Sequence, residues 1–461
     1  MISFLSLASA YFLIVPPNAG PEEVNHAQAS WYLIENPNAI LKNQRTISTH
    51  FPSELTIKDA GGYLKNLACF SQKMEVPSNC QSLKKGDQVF QEVPMLNRSK
   101  FYYLLIGLGE RTRALGNAYS AGKLSNFIIS LVLIIVGVSR LWNKFGDKAL
   151  VATFLSLTGT VYFFFAVINP SSLEFASTVY FVSSLLVTAN TESGRGAKLH
   201  LICSTLLLLF SRSLGGLWII SFLVLLNLVR GKVPFFWQLS AASFLGTLAQ
   251  FILGNTNYPL GDGTWNPTWN FYLEEAVRAF NGSGDWIVSY FGTIAWSEVR
   301  LPLILVLVLL ISFIYVYLQS TMHLENQRYI LLFIFAGAWL VPLIIAVTFS
   351  KDWPGFWQGR YSLPFVMGAT LILICNSKNV GSLTPVVLLF LSNLYLVLLT
   401  FARFNWGLYG TNTPIIANGW SFNYSLSLSF AVLISIYVIS STFLLQRWRL
   451  KVFESKHIEN P

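Results

Sequence analysis

Apolar residues in this chain come in long unbroken runs separated by short polar turns, the pattern of helices surrounded by lipid or by one another. The runs fall at 1–15, 124–141, 149–168, 173–190, 199–211, 214–229, 234–253, 302–319, 330–350, 362–375, 383–402 and 425–446. About 20 apolar residues cross the hydrocarbon of a bilayer, so the pattern predicts an all-α polytopic membrane protein with about 12 transmembrane helices. One integral-membrane domain results: a first span at 1–15, a long loop at 16–122, membrane helices over 123–253, a second loop at 254–301, membrane helices over 302–446 and a tail at 447–461. The first run has no basic n-region and no small-residue cleavage site, so it reads as a span rather than a signal peptide. Within the first loop, His26 to Glu35 and Phe101 to Gly109 are too short to cross. They read as helices lying in the membrane interface, with Trp31, Tyr32, Tyr102 and Tyr103 as interfacial rings.

Composition agrees with this reading, because 53% of the 461 residues are hydrophobic and 11% are charged, where a soluble domain carries about a quarter charged residues. The net charge of +10 is accounted for by basic residues flanking spans, which leaves no case for nucleic acid. Those residues also orient the chain. Arg140, Lys144, Lys148, Arg195, Lys198, Arg230, Lys232, Arg328, Lys378, Arg447, Arg449 and Lys451 fall in alternate loops, which the positive-inside rule makes cytoplasmic. Both termini are then cytoplasmic and the two long loops extracytoplasmic. Cys69 and Cys80 share the first long loop and are expected to form a disulfide there, whereas Cys203 and Cys375 lie in apolar segments.

With this topology the unusual polar residues gather on the outer side. Pro21-Glu22-Glu23-Val24-Asn25-His26 follows the first span, and proline suits the first position of a helix. Both glutamates then occupy a first turn and His26 shares their face. The arrangement reads either as an acidic turn complementing the helix dipole or as a reactive constellation at a membrane boundary. Arg212 and Arg360 run against the positive-inside bias. Each reads either as an arginine snorkelling to lipid headgroups or as a cation held for an anion, and the planar fork of arginine suits phosphate. Glu174 follows Asn169-Pro170-Ser171, Glu298 follows Trp296, Gln358 precedes Gly359-Arg360-Tyr361, and Arg403 adds a further outer cation. Aromatic residues of the second loop, among them Trp265, Trp269 and Trp286, suit an interfacial belt or sugar stacking. Glu274, Glu275 and Arg278 are expected on the solvent face of a short helix over 271–280. Glu22, Glu23 and His26 have no further ligands at diagnostic metal spacing, so no metal site and no particular cofactor is indicated.

A first span, a long outer loop opening on adjacent acids, interfacial helices and many further spans together resemble the GT-C superfamily of integral-membrane glycosyltransferases. More closely, Pro21-Glu22-Glu23 with His26, Asn169-Pro170-Ser171 with Glu174, Arg212 with Gly215 and Trp218, Phe291-Gly292, Trp296 with Glu298, Leu301 and Pro302, and Gly359-Arg360-Tyr361 with Pro364 resemble a bacterial family of predicted membrane proteins of unknown function, considered GT-C-like. Glu22 and Glu298 stand where that family more often has aspartate, and Lys123 where arginine is commoner.

The resemblance implies a glycosyltransferase of the bacterial cytoplasmic (inner) membrane that moves a sugar from a polyprenyl-phosphate donor to a hydroxyl of a cell-envelope glycan or lipid on the extracytoplasmic side. It also implies membrane lipids as partners. A carboxylate must take the acceptor proton, with Glu23 preferred over Glu22 and His26 orienting it or contacting phosphate. Fixed cations must hold the lipid phosphate, with Arg360 first, Arg212 in support and Tyr361 beside them. Glu298, Trp296, Gln358 and Glu174 are the expected substrate contacts, although Glu298 pairing with Arg300 is an alternative. The rival readings are a transporter or flippase of a lipid-linked saccharide, a glycan polymerase or ligase, and a non-catalytic envelope-assembly protein.

Overall fold

The computed structural model describes residues 1–38, 46–52, 55, 88–94, 100–190, 194–254, 268–295, 298–348, 359–378, 383–406 and 424–458. Every apolar run becomes helix. The helices are α1 (Ile2–Ile14), α2 (Glu23–Glu35), α3 (Lys100–Thr112), α4 (Ala118–Phe145), α5 (Asp147–Ser156), α6 (Gly159–Phe165), α7 (Pro170–Asn190), α8 (Arg195–Ser211), α9 (Gly215–Arg230), α10 (Phe236–Gly254), α11 (Trp269–Gly292), α12 (Leu303–Thr321), α13 (Gln327–Phe335), α14 (Val341–Thr348), α15 (Leu363–Asn376), α16 (Thr384–Trp406) and α17 (Tyr424–Ile458). Among the described residues, and counting α13 with α14 as one segment, six are long and apolar enough to cross a membrane, or seven if α5 and α6, bent by 80°, are one broken span. Three further apolar helices, α1, α9 and α15, are shorter than a bilayer requires. Helices α13 and α14 continue one another through a π-helical turn at Ala336–Leu340.

The bundle is organised around α7, which packs on α4, α8 and α15 and is buried along nearly its whole length. Its sequence explains this position. Small residues such as Ala176, Ser177, Ser183 and Ser184 let neighbouring backbones approach, and the Ser183 hydroxyl turns back to donate to Val179 O at 2.6 Å, which hides its polarity inside the helix. Asn169 caps the helix by accepting from Ser171 N at 3.0 Å, and Pro170 takes the first position, where a missing N–H costs nothing. The Asn-Pro-Ser motif is therefore in part a helix start.

The first long loop has a core of its own. Trp31 and Leu33 of α2, Tyr102, Tyr103 and Ile106 of α3, Tyr119 of α4 and Ile168 pack together with Phe51 and Leu55. Both expected short helices are present, α2 and α3, and a two-stranded antiparallel sheet joins them. Its strands β1 (Thr46–Pro52) and β2 (Gln88–Pro94) pair from Thr46 opposite Pro94 to Pro52 opposite Gln88. A second, two-residue hairpin pairs β3 (Thr293–Ile294) with β4 (Val299–Arg300). The helix expected over 271–280 is the much longer α11. Glu275 does not lie on its solvent face but is buried, 2.5 Å from Arg278, because one side of α11 packs against α14.

Candidate functional site

The site is built on the connector between α6 and α7, residues 166–169, and on the helix ends that flank it. On one flank the start of α2 is tied to it. Asn169 Nδ2 donates to Pro21 O at 3.1 Å, and Ile168 N donates to Glu23 Oε1 at 2.8 Å. Glu23 also accepts from Gly20 N at 2.9 Å and from the Tyr119 hydroxyl, so both of its oxygens are occupied and it is 1% exposed. Lys123 supplies the balancing charge, while its ammonium donates to Phe12 O at 3.0 Å and to Val15 O, capping the end of α1. Burial raises the Glu23 carboxyl above the ordinary range, opposed by the Tyr119, Gly20 and Ile168 hydrogen bonds and by Lys123. The expected preference of a helix N-terminus for the ionised acid is thus outweighed by desolvation.

Glu22 is different in each respect. Helix α2 begins at Glu23, not at Pro21, and Glu22 stands before it in the left-handed region at φ 57°, a conformation that costs a side-chain-bearing residue about 1 kcal/mol or more. Its side chain is 31% exposed and lies 3.9 Å from His26 Nε2. His26 is fully buried and its Nδ1 shares a hydrogen bond of 2.9 Å with the Tyr103 hydroxyl. The sequence expectation that Glu22 and His26 meet is met, but as a contact across the helix start.

On the other flank of the connector two guanidinium groups share one ring. The Arg212 guanidinium lies 4.4 Å from the Tyr361 ring centre and that of Arg360 5.3 Å. Arg360 also stands 5.3 Å from the Phe164 ring. Arg212 donates to Ser171 Oγ at 3.0 Å and to Glu174 Oε2 at 3.4 Å, and Trp218 Nε1 donates to Glu174 Oε1 at 2.9 Å. Glu174 is buried and also feels the Arg360 charge. Arg360 sits in a 3-10 turn, Gly359–Tyr361, pressed onto α11, where a Cβ at Gly359 would lie 2.1 Å from Trp286 O.

Four lysines and arginines are buried among the described residues: Lys123, Arg212, Arg360 and Arg403. Glu23 acts on the first at longer range, and Glu174 pairs with the second. Arg403 is held by Glu298, its Nε and NH2 at 3.0 and 2.7 Å from Oε2. Arg300 pairs instead with Asp285 at 3.0 Å, so the alternative pairing of Glu298 with Arg300 does not form. Neither Lys123 nor Arg360 has a carboxylate within ion-pair distance among the described residues, but the Lys123 ammonium is satisfied by two backbone carbonyls, whereas Arg360 is not held in that way. Its hydrogen bond is to the Tyr361 hydroxyl at 3.4 Å, its Nε has no partner, and it is 6% exposed. Trp296, Gln358, Cys69 and Cys80 lie outside the described residues, while Cys203 and Cys375 are unpaired.

The connector and its flanking helix ends thus contact Glu23, next to Glu22, on one side and Arg212, with Glu174, Arg360 and Tyr361, on the other. Glu298 belongs to a separate pair between β4 and α16. The partners Tyr119, Tyr103 and Arg403 were not singled out as functional by the sequence pattern. Neither was Glu110, a fully buried carboxyl of α3 with both oxygens unpartnered. It packs against Gly122, where a Cβ would meet its Cγ at 2.6 Å, and burial raises it well above the ordinary carboxyl range. Its signal in the sequence is position, since Tyr103, Ile106 and Glu110 repeat along one face of α3.

This is an α-helical membrane protein that carries paired and unpaired charges buried around one interhelical connector. The chain belongs to the family described as predicted membrane protein (DUF2142), whose model matches residues 4–369. No curated protein and no solved structure matches it.

Proposed function

We propose that the protein is a membrane glycosyltransferase that transfers a sugar from a polyprenyl-phosphate-linked donor to a hydroxyl of a cell-envelope glycan or lipid on the extracytoplasmic face. The observation that carries this reading is Arg360, a buried cation with no carboxylate of its own. Removing a guanidinium from water costs several kcal/mol, and two aromatic faces return about 2 kcal/mol or less each. Arginine cannot shed its proton, so the remaining charge calls for an anion from outside. A lipid phosphate supplies one, and Arg360 is then placed to hold the charge that develops as the sugar leaves.

Glu22 is the better candidate for general base. Glu23 has its oxygens filled by the fold, whereas Glu22 is partly exposed, backed by His26 and held in a strained backbone conformation of the kind that collects at reactive sites. Glu23, Tyr119 and Lys123 then position the start of α2, and Glu174 with Trp218 positions Arg212. The test is cellular. Glu22→Gln and Arg360→Ala should abolish envelope glycan modification with normal membrane levels of protein, and full modification by either variant would sink the assignment.

One observation favours a second reading, a transporter or flippase of a lipid-linked saccharide. The 80° break between α5 and α6 resembles the discontinuous helices on which transporters build their sites. Asn393 Nδ2 donates across it to Leu157 O at 3.3 Å. Transport moves the intact donor between leaflets and leaves its sugar attached, which separates the two readings in reconstituted vesicles.

A further inference from the structure

A further cation without a counter-charge stands well away from the connector. Asn126 meets the connector by donating to Val167 O at 2.8 Å, and Arg140 lies 14 positions further along α4 (140 minus 126), about 21 Å at ~1.5 Å per residue. No carboxylate is within ion-pair distance of Arg140 among the described residues. Its side chain is half-buried, and its Nε is enclosed without a hydrogen-bond partner. Part of the guanidinium is therefore out of water with nothing returned, and arginine cannot shed the charge.

Two neighbours add polar groups at the same level. Helix α7 packs on both α4 and α8, and Gly137, one turn before Arg140, lets it come so close that a Cβ there would lie 3.1 Å from Tyr180 Cα. The Tyr180 hydroxyl shares a hydrogen bond of 2.6 Å with Nδ1 of His200 on α8, and the two rings meet edge to face at 5.9 Å. The Arg140 charge acts on both. Whichever group donates in that bond, a neutral pair keeps one more hydrogen to give: on Nε2 if the hydroxyl donates, on the hydroxyl if Nδ1 donates. A cation on α4 and a spare donor on the α7–α8 pair are thus within electrostatic reach of each other.

We infer that Arg140, Tyr180 and His200 form a headgroup site for an anionic phospholipid in the leaflet away from the connector. Any apolar helix touches lipid, whereas this site selects a headgroup. The depth suits one: Arg140 is five positions from the end of α4 at Phe145, and His200 five from the start of α8 at Arg195, about 7 Å inside each helix end. The phosphodiester brings the missing negative charge to the planar fork, and basic pockets between membrane helices are where such headgroups bind. A lipid fits better than a soluble anion, because Ile128 and Val132 on α4 and Ile202 and Leu206 on α8 are exposed and offer its acyl chains an apolar surface. Residues 140–148 and 190–200 hold five lysines and arginines against Asp147 and Glu192, a net charge of +3 (five minus two). That excess favours an anionic headgroup over a zwitterionic one.

The experiment uses the full chain, stripped of lipid in detergent and titrated with phosphatidylglycerol or phosphatidylethanolamine of matched acyl chains, with bound lipid read by native mass spectrometry. Wild type should hold phosphatidylglycerol about five-fold more tightly than phosphatidylethanolamine. Arg140→Gln should remove that preference, whereas Arg328→Gln, at an exposed basic position of α13, should keep it. Millimolar inorganic phosphate should leave the lipid bound. Equal binding of the two lipids by wild type, or an unchanged preference in Arg140→Gln, overturns the inference. So does an equal loss in Arg328→Gln, the mark of general charge attraction, or displacement by phosphate, the mark of a free-anion site. Should Arg140→Gln not fold, Arg140→Lys keeps the charge without the planar fork and should still weaken phosphatidylglycerol binding; undiminished binding there overturns the inference as well.

Discussion

Two adjacent glutamates with the same side chain have opposite surroundings, and the difference lies in one backbone angle. Because Glu22 adopts φ 57°, the chain turns before α2 and delivers Glu23 inward, to Tyr119 and the connector, while Glu22 stays at the surface of the site. Exchanging the carboxylate of Glu23 for an amide removes the charge that Lys123 faces and places an N–H donor against backbone N–H groups. Glu23→Gln should therefore destabilise the protein by about 1–3 kcal/mol, whereas Glu22→Gln should leave the melting midpoint nearly unchanged. Tryptophan-fluorescence melts in detergent compare them. Glu110 makes a further case. Its carboxyl is raised by burial, so the folded state holds a proton that the unfolded chain releases above pH ~4, and this group's contribution to stability falls as pH rises through that range. Glu110→Met removes an unsatisfied buried polar group and should stabilise the fold by about 1–3 kcal/mol at neutral pH, with the gain shrinking as pH falls toward ~4 and levelling off below it. A midpoint lowered at neutral pH would contradict that account.

At the scale of elements, the site depends on short non-helical or 3-10 parts: the α6–α7 connector, whose Ala166 and Val167 are also buried in the bundle core, the turn before α2 and the 3-10 turn at Gly359–Tyr361. Gly359 shows how tightly the last is fixed. A methyl group there would meet the Trp286 carbonyl of α11, which is backbone and cannot swing aside. Gly359→Ala should thus displace Arg360 and lose lipid-phosphate binding, and binding equal to wild type would show that the turn has slack. The apolar runs were legible because a lipid-facing or buried helix needs little besides continuous hydrophobicity, and each expected run is helix. How many cross was less legible. Helices such as α9 and α15 are apolar throughout yet only 16 and 14 residues long, and the break between α5 and α6 occurs at Leu157-Thr158, where no proline marks it. The β1–β2 sheet was also passed over, although Ile47, Thr49 and Phe51 alternate with Ser48 and His50 as a strand requires. Of the site, Glu22, Glu23, His26, Arg212 and Arg360 were readable as polar residues at a membrane boundary. Their pairing was not, because Glu174 meets Arg212 and Glu298 meets Arg403 across separations of 38 and 105 residues that only the packing of α7, α8 and α16 brings together.

For the molecule as a whole, some of the buried charges act as struts. Arg403 and Glu298 form a strut that ties the β3–β4 hairpin to the end of α16, both nearly inaccessible. Arg403→Ala takes the guanidinium away from a buried carboxylate and should cost about 3–5 kcal/mol. The double change Arg403→Met with Glu298→Leu removes both charges and should recover most of that loss in the same melts. A double variant as unstable as the single one would mean that Glu298 has obligations beyond Arg403. Arg360, by contrast, has no strut to break, so Arg360→Ala should leave the stability within about 1 kcal/mol of wild type while removing function.

Its loss therefore separates chemistry from folding, and the most direct measurement is donor consumption by purified protein. Wild type, Glu22→Gln and Arg360→Ala, each checked by melting midpoint, would be incubated with radiolabelled polyprenyl-phosphate sugars and envelope acceptor membranes. The account predicts that wild type releases the sugar of at least one donor to the acceptor fraction and that neither variant does. Undiminished transfer by Arg360→Ala, or no donor consumed by wild type across the panel, would contradict it.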